Sequence, residues 1–174
     1  MAKATIVYII DPETNEVLMA RKVRKVGTGF WFGYGGKIEP GQTPQECTIE
    51  ETLEESGGII RLSEAELEPV ALIEFYKGEH TVPKADAPLF SVLFYRALKT
   101  KASVGEPLTT DEMADPTWFP IDSLPWDEIM PGDELLLPQV LAGTPIKGWV
   151  HFTSDEKGVI GSSIENCSVG DLTI

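Results

Sequence analysis

Glu51, Glu54 and Glu55 stand at i, i+3 and i+4, a spacing that gathers three carboxylates on one face if the segment is helical. The flanking residues supply the ends of such a helix. Thr43-Pro44-Gln45-Glu46 reads as a capping box with proline at the first helical position, and Ser56-Gly57-Gly58 places glycine where helices commonly stop. Ile49 and Leu53 are expected on the opposite, core-facing side. Like charges at this spacing repel by roughly a few tenths of a kcal/mol per pair, and Glu50 adds a fourth negative group. A hard divalent cation relieves that repulsion, because Mg²⁺, or Mn²⁺ in its place, takes oxygen ligands from carboxylates, water and phosphates. Acidic helix faces are more often simply solvated, so the surrounding elements must decide.

Those elements read as one α/β domain over residues 1–174, with a core of about 3–153 and a loosely held segment from about 154 to 174. Ala4 to Ile10 is rich in β-branched residues and ends at the turn cluster Asp11-Pro12-Glu13-Thr14-Asn15, after which Glu16 to Ala20 resumes, so an opening hairpin is expected. Gly27, Gly29, Gly33, Gly35 and Gly36 surround Phe30-Trp31-Phe32, a loop whose backbone can approach another group closely. Strands are predicted at 69–76 and 89–98, separated by a polar loop holding Pro83 and Pro88, and at 116–119 and 149–152, with a short helix near 133–141.

The formal net charge of −14 excludes a DNA or RNA duplex as the expected partner, since such binding rests on neutralising phosphates with Lys and Arg. Basic residues nevertheless concentrate at Arg21, Lys22, Arg24, Lys25 and Lys37, where they are either a solvated edge or a source of positive potential for a small anion. Lys22, Gly36 and Lys37 are the candidate substrate contacts here. The longest early apolar run, 4–10, is far shorter than the roughly 20 residues of a membrane-spanning helix. Two cysteines, Cys47 and Cys167, do not make a disulfide framework, and a cytoplasmic protein, monomer or homodimer, is expected. His80 and His151 lack the spacing of a metal site or triad.

Residues 36–58, Gly36-Lys37-Ile38-Glu39-Pro40-Gly41-Gln42 through Glu50-Glu51-Thr52-Leu53-Glu54-Glu55-Ser56-Gly57-Gly58, resemble the Nudix box, G-x5-E-x7-R-E-U-x-E-E-x-G-U with U a bulky apolar residue. Four positions depart from it: Gln42 for the first Glu, Glu50 for the Arg, and Thr52 and Gly58 for apolar residues. In the family the Arg orients a box carboxylate by an ion pair, so Glu50 turns an expected attraction into repulsion. Phe30-Trp31-Phe32-Gly33-Tyr34-Gly35-Gly36-Lys37, Thr110-Asp111-Glu112-Met113, Trp118-Phe119, Leu124-Pro125-Trp126 and Met130-Pro131-Gly132-Asp133 further resemble the oxidised purine nucleoside triphosphate hydrolase branch of that family.

The resemblance implies an α/β/α sandwich with a mixed, curved sheet. It implies Mg²⁺ held by Glu51, Glu54, Glu55, the outlying Glu112 and the Gly35 carbonyl, with one of Glu51, Glu54 and Glu55 as catalytic base. The implied reaction is hydrolysis of a purine nucleoside triphosphate such as 8-oxo-dGTP to a monophosphate and pyrophosphate. The positions that read the base in that branch are Phe32, Met130 and Asp133 here, and only Asp133 keeps a polar handle. Phe32, Phe90 and Met130 are either walls that stack a base or ordinary core. Two alternatives stand beside this reading. One is a Nudix diphosphatase for another nucleotide, a nucleotide sugar or a capped RNA end; the other is a weakened domain that only binds a nucleotide.

Overall fold

A computed structural model describes residues 1–78 and 88–174; the expected loop at Pro83, and His80, lie outside the described residues. Strand β1 (Ala2–Asp11) forms the expected hairpin with β2 (Glu16–Lys22). The turn is fixed by Asp11, whose carboxylate accepts from the Glu13 amide at 2.9 Å and from the Lys101 amide at 2.9 Å. β1 also pairs in parallel with β5 (Phe90–Leu98), which pairs antiparallel with β4 (Glu68–Lys77). β4 then runs parallel to β7 (Ile146–Phe152). The sheet is completed by the two-residue β3 (Trp31–Phe32) and by β6 (Met113–Pro120), both on β2, and by β8 (Val159–Asn166) on β7. It is therefore mixed, in the order β3-β2-β1-β5-β4-β7-β8.

Val7, Tyr8, Ile9 and Ile10 are consecutive and all buried, which a strand permits only when both faces of its sheet are covered. One core holds Tyr8, Ile10, Met19 and Phe94 together with Leu137, Val140 and Leu141 of the short helix α3 (Leu137–Ala142). The other holds Val7, Ile9, Leu18 and Tyr95, with Ile49 of the α-helix α1 (Pro44–Glu55) packed against it. α2 is one turn only, Lys101–Val104. The single helix expected near 133–141 is split into a 3₁₀ turn, Asp133–Leu135, and α3. Pro138 accounts for the break: it has no amide to donate to the preceding turn, and it fits the opening turn of a new helix after the non-helical Leu136.

The segment expected to be loosely held after residue 154 is corrected. β8 lies along β7 from Val159 opposite Phe152 to Asn166 opposite Ile146, and Leu172 is buried in the second core. Ser162, Ser163, Glu165 and Asn166 are exposed, so this edge strand is held by backbone pairing and carries little of the apolar alternation from which strands are read.

α1 begins as expected. The Thr43 hydroxyl accepts from the Glu46 amide at 3.1 Å, the Glu46 carboxylate accepts from the Thr43 amide at 2.8 Å, and Pro44 opens the helix. Thr43→Ala should cost about 1 kcal/mol and lower the thermal midpoint by roughly 2–4 °C, read by differential scanning calorimetry. The expected division into an acidic face and an Ile49–Leu53 core face holds only in part, since Ile49 packs against the second core but does not lie on the most buried side of the helix. The buried residues of α1 are Cys47, Thr48, Thr52 and Glu55, whereas Ile49 and Leu53 are only half-buried. The helix therefore lays its polar line toward the protein.

Candidate active site

Glycine makes that orientation of α1 feasible. A Cβ built on Gly36 would stand 2.4 Å from Glu51 Oε2, and one on Gly35, where φ is +149°, would stand 2.1 Å from the Thr5 carbonyl oxygen. No other residue fits at either position without displacing a carboxylate or a backbone. The loop is pinned on both sides: Thr5 N donates to the Gly36 carbonyl at 2.9 Å, and the Cys47 thiol donates to the same oxygen at 3.6 Å.

Glu55 is 4% exposed. Its Oε2 accepts from the Gly35 amide at 3.0 Å and its Oε1 from Lys22 Nζ at 3.0 Å. Burial raises its carboxyl above the ordinary range, opposed by the Lys22 charge and the two hydrogen bonds. Glu51 is half-buried, and burial raises it too, followed by the charges of Glu55, Glu54 and Glu112. Among the described residues no Lys or Arg forms an ion pair with Glu51. Glu54 is exposed.

Glu112 reaches the same region from the turn before β6. That turn is tied to the end of α1, since the Thr110 hydroxyl donates to the Glu55 carbonyl at 3.2 Å. The Glu112 carboxylate is forked by Lys25 Nζ at 3.0 and 3.2 Å and also accepts from Arg24. Burial raises its carboxyl, but the hydrogen bonds from Arg24 and Lys25 outweigh this and hold it below the usual range.

A cavity of about 650 Å³ joins these groups to an aromatic wall. On it stand Glu51, Glu112, Lys22, Lys25, Gly35, Gly36 and Lys37, and also Phe32, Phe90, Met130 and Asp133. Every expected substrate contact thus lies on one cavity, as do two of the four expected carboxylates. Glu55 lies beneath Gly35, and Glu54 is exposed on α1. Sequence reading missed Phe75, Phe94, Phe152, Lys77 and Glu156, which line the same cavity. A signal for three of them existed: Phe75 and Lys77 on β4, and Phe90 and Phe94 on β5, keep the alternation that puts every second residue on one face, and Phe75 is directly opposite Phe90. Phe75 stacks on Phe152, with rings 5.7 Å apart and 4° from parallel, and Lys77 Nζ pairs with Glu156 at 2.6 Å.

Asp133 is buried, and burial, then the charge of Glu134, pushes its carboxyl up to about 7. It is therefore poised between acceptor and donor at neutral pH. Two of the four departures from the box meet each other: Gln42 Nε2 donates to Glu50 Oε2 at 2.6 Å while Gln42 Oε1 accepts from the Glu39 amide at 3.1 Å. Glu50 thus gains a neutral–charged hydrogen bond that ties the loop to α1.

The donors here are all oxygen, the set that hard divalent cations prefer, and the unpaired Glu51 among other carboxylates fits such an ion. Among the described residues no three carboxylates stand together as a finished cage, because Glu55 and Glu112 are drawn onto lysine and arginine.

A helix carrying the box against a mixed sheet, with carboxylates and an aromatic wall on one cavity, matches the arrangement that the family resemblance implies. The chain belongs to the NUDIX family: residues 1–140 match the NUDIX domain, and it is a Nudix pyrophosphohydrolase. It is 34% identical over 149 residues to the oxidized purine nucleoside triphosphate hydrolase of Danio rerio, covering 85% of each chain. It is 31% identical over 157 residues to the Mus musculus protein of the same name, covering 90% of this chain and 88% of the relative. A MutT protein crystal structure from Bacillus halodurans superposes with a TM-score of 0.74 at 20% identity, covering 95% of this chain and 98% of the other; it establishes likeness of fold.

Proposed function

We propose that the chain hydrolyses purine nucleoside triphosphates, oxidised ones such as 8-oxo-dGTP among them, to a nucleoside monophosphate and pyrophosphate. The observation that carries this reading is the one cavity on which Glu51, Glu112, Lys22, Lys25 and Lys37 meet Phe32, Phe90, Met130 and Asp133. A triphosphate needs the first set and a base the second. The two relatives act, by their names, on oxidized purine nucleoside triphosphates.

Glu51, Glu54, Glu55, Glu112 and the Gly35 carbonyl would hold Mg²⁺, with Mn²⁺ as substitute. Bound there, the cation neutralises phosphate charge and acidifies water. Lys22 and Lys37 draw the phosphates in, and Gly36 lets them approach the backbone. Glu55, raised by burial and aimed by the Gly35 amide, takes the proton from a water attacking phosphorus. The new phosphorus–oxygen bond forms as the anhydride bond breaks, and pyrophosphate leaves. Phe32, Phe90 and Met130 sandwich the base, and Asp133 reads its edge by accepting from ring N–H or donating to ring nitrogen.

The test is a panel of 8-oxo-dGTP, dGTP, dATP, a nucleotide sugar and a capped RNA, each with Mg²⁺ and with products separated by chromatography. The oxidised purine triphosphate should give the highest kcat/KM, with monophosphate and pyrophosphate in equal amounts. Preference for the sugar or the cap would assign a sibling activity, and nucleotide binding without pyrophosphate release would assign a binding module.

A further inference from the structure

Glu112 is expected to face a cation, yet it faces two basic side chains. Its side chain is 18% exposed and is held by both Arg24 and Lys25, whose own side chains are 50% and 64% exposed, so the pairing lies at the solvent edge, where an ion pair is worth little and its members exchange partners readily. Both bases come from the connection after β2, and that connection is itself fastened to the Glu112 turn, with Val23 N donating to the Glu112 carbonyl at 2.9 Å. Lys25 sits at φ +67°, a left-handed conformation costly for a residue with a Cβ, and it lines the cavity on which Glu51 also stands. The Lys25 charge reaches Glu51 as well as Glu112. Two cations therefore neutralise one of the carboxylates that a metal ion would need, and one of the two, Lys25, lines the cavity in which a triphosphate would need it.

We propose that Arg24 and Lys25 form a clamp with two positions. Without a divalent ion the clamp is closed on Glu112; when the ion takes the carboxylate, both side chains pass to the substrate's phosphates. The proposal rests on the nucleotide-hydrolase reading above for its second position only. It makes metal and triphosphate bind cooperatively: either one alone meets the clamp in the wrong place, and together they satisfy every charge.

The test uses Arg24→Gln, Lys25→Gln and their double variant, each in the wild-type and the Glu112→Gln protein. Two titrations are read: Mn²⁺ alone, followed by electron paramagnetic resonance of the free ion, and a non-hydrolysable purine triphosphate analogue at saturating Mn²⁺, followed by calorimetry. In the wild-type background the double variant should bind Mn²⁺ alone about three- to tenfold more tightly and the analogue at least tenfold more weakly. In the Glu112→Gln background the gain in Mn²⁺ affinity should shrink to the part that Lys25 exerts on Glu51, which separates release of Glu112 from a general loss of positive charge. Unchanged or weaker Mn²⁺ binding in the double variant, a gain that persists undiminished without Glu112, or unchanged analogue affinity would each overturn the clamp. None of these results bears on whether the wild-type protein releases pyrophosphate, so the clamp and the hydrolase reading fail separately.

Discussion

Glu55→Gln should lower kcat by roughly a hundred- to ten-thousandfold, the range in which general-base side chains contribute, while the protein remains folded. The amide oxygen of Gln can still accept from the Gly35 amide, which now holds Glu55 Oε2 at 3.0 Å. The loop that shapes the site should therefore stay in place. What disappears is the anion that takes the proton and holds Lys22 at 3.0 Å. The Lys22 side chain is 15% exposed and can turn to solvent, so the stability change should be small. Rapid-quench measurement of pyrophosphate release, with circular dichroism as the control of fold, reads both quantities. An unchanged rate would remove Glu55 from the mechanism, and a collapsed fold would make its role structural.

The second large effect concerns Asp133. In the unfolded chain its carboxyl returns to the ordinary value of 3.8, whereas in the fold burial carries it to about 7. Between those values the folded protein binds the proton and the unfolded chain does not, so folding stability falls as pH rises through that window. At pH 8 the buried charged form opposes folding by on the order of 4 kcal/mol. Asp133→Asn removes the charge and keeps the shape. It should therefore be more stable than the wild type at pH 8 by up to about that amount, with the advantage fading toward pH 4. Urea midpoints of the two proteins across pH 4–8 measure the difference, to which the other raised carboxyls contribute equally on both sides. A difference that stays constant with pH would show that Asp133 is not the group titrating. The same substitution should weaken base discrimination, because Asn has no charged state with which to accept two N–H groups of a purine.

Local signals carried much of this structure. The capping box at Thr43, the turn at Asp11–Asn15 and the β-branched run of β1 act through neighbours in sequence, and each produced the element expected of it. The sandwich layout followed from the family resemblance. Less legible was which side of α1 would be buried. Spacing assigns the side opposite the carboxylates to the core through Ile49 and Leu53, but the two glycines at 35 and 36 leave room for Glu51 and Glu55 to come against the loop. Glycine leaves no mark on a hydrophobic pattern. β8 was missed because an edge strand with exposed Ser162 and Ser163 gains its place from backbone pairing.

The site was legible to a similar degree. The residues sharing one helix or one motif, Glu51, Glu55, Gly35 and Gly36, come together as their spacing implies. Partnerships across the chain do not show in sequence: Arg24 and Lys25 on Glu112, Gln42 on Glu50, and Phe75 against Phe152 all depend on how loops and distant strands dock. Glu54 shows the converse. It keeps its place in the motif, yet its side chain is exposed while Glu55 beside it is buried.

The central claim is that these glutamates work through a divalent ion that brings the phosphates to them. The most direct measurement is pyrophosphate release from the preferred purine triphosphate by protein stripped with EDTA, before and after Mg²⁺ is restored. The account predicts no release without the ion and full return with it, at equal yield of monophosphate. Turnover that continues in the stripped protein, or a nucleotide bound tightly in Mg²⁺ with no pyrophosphate formed, would contradict it.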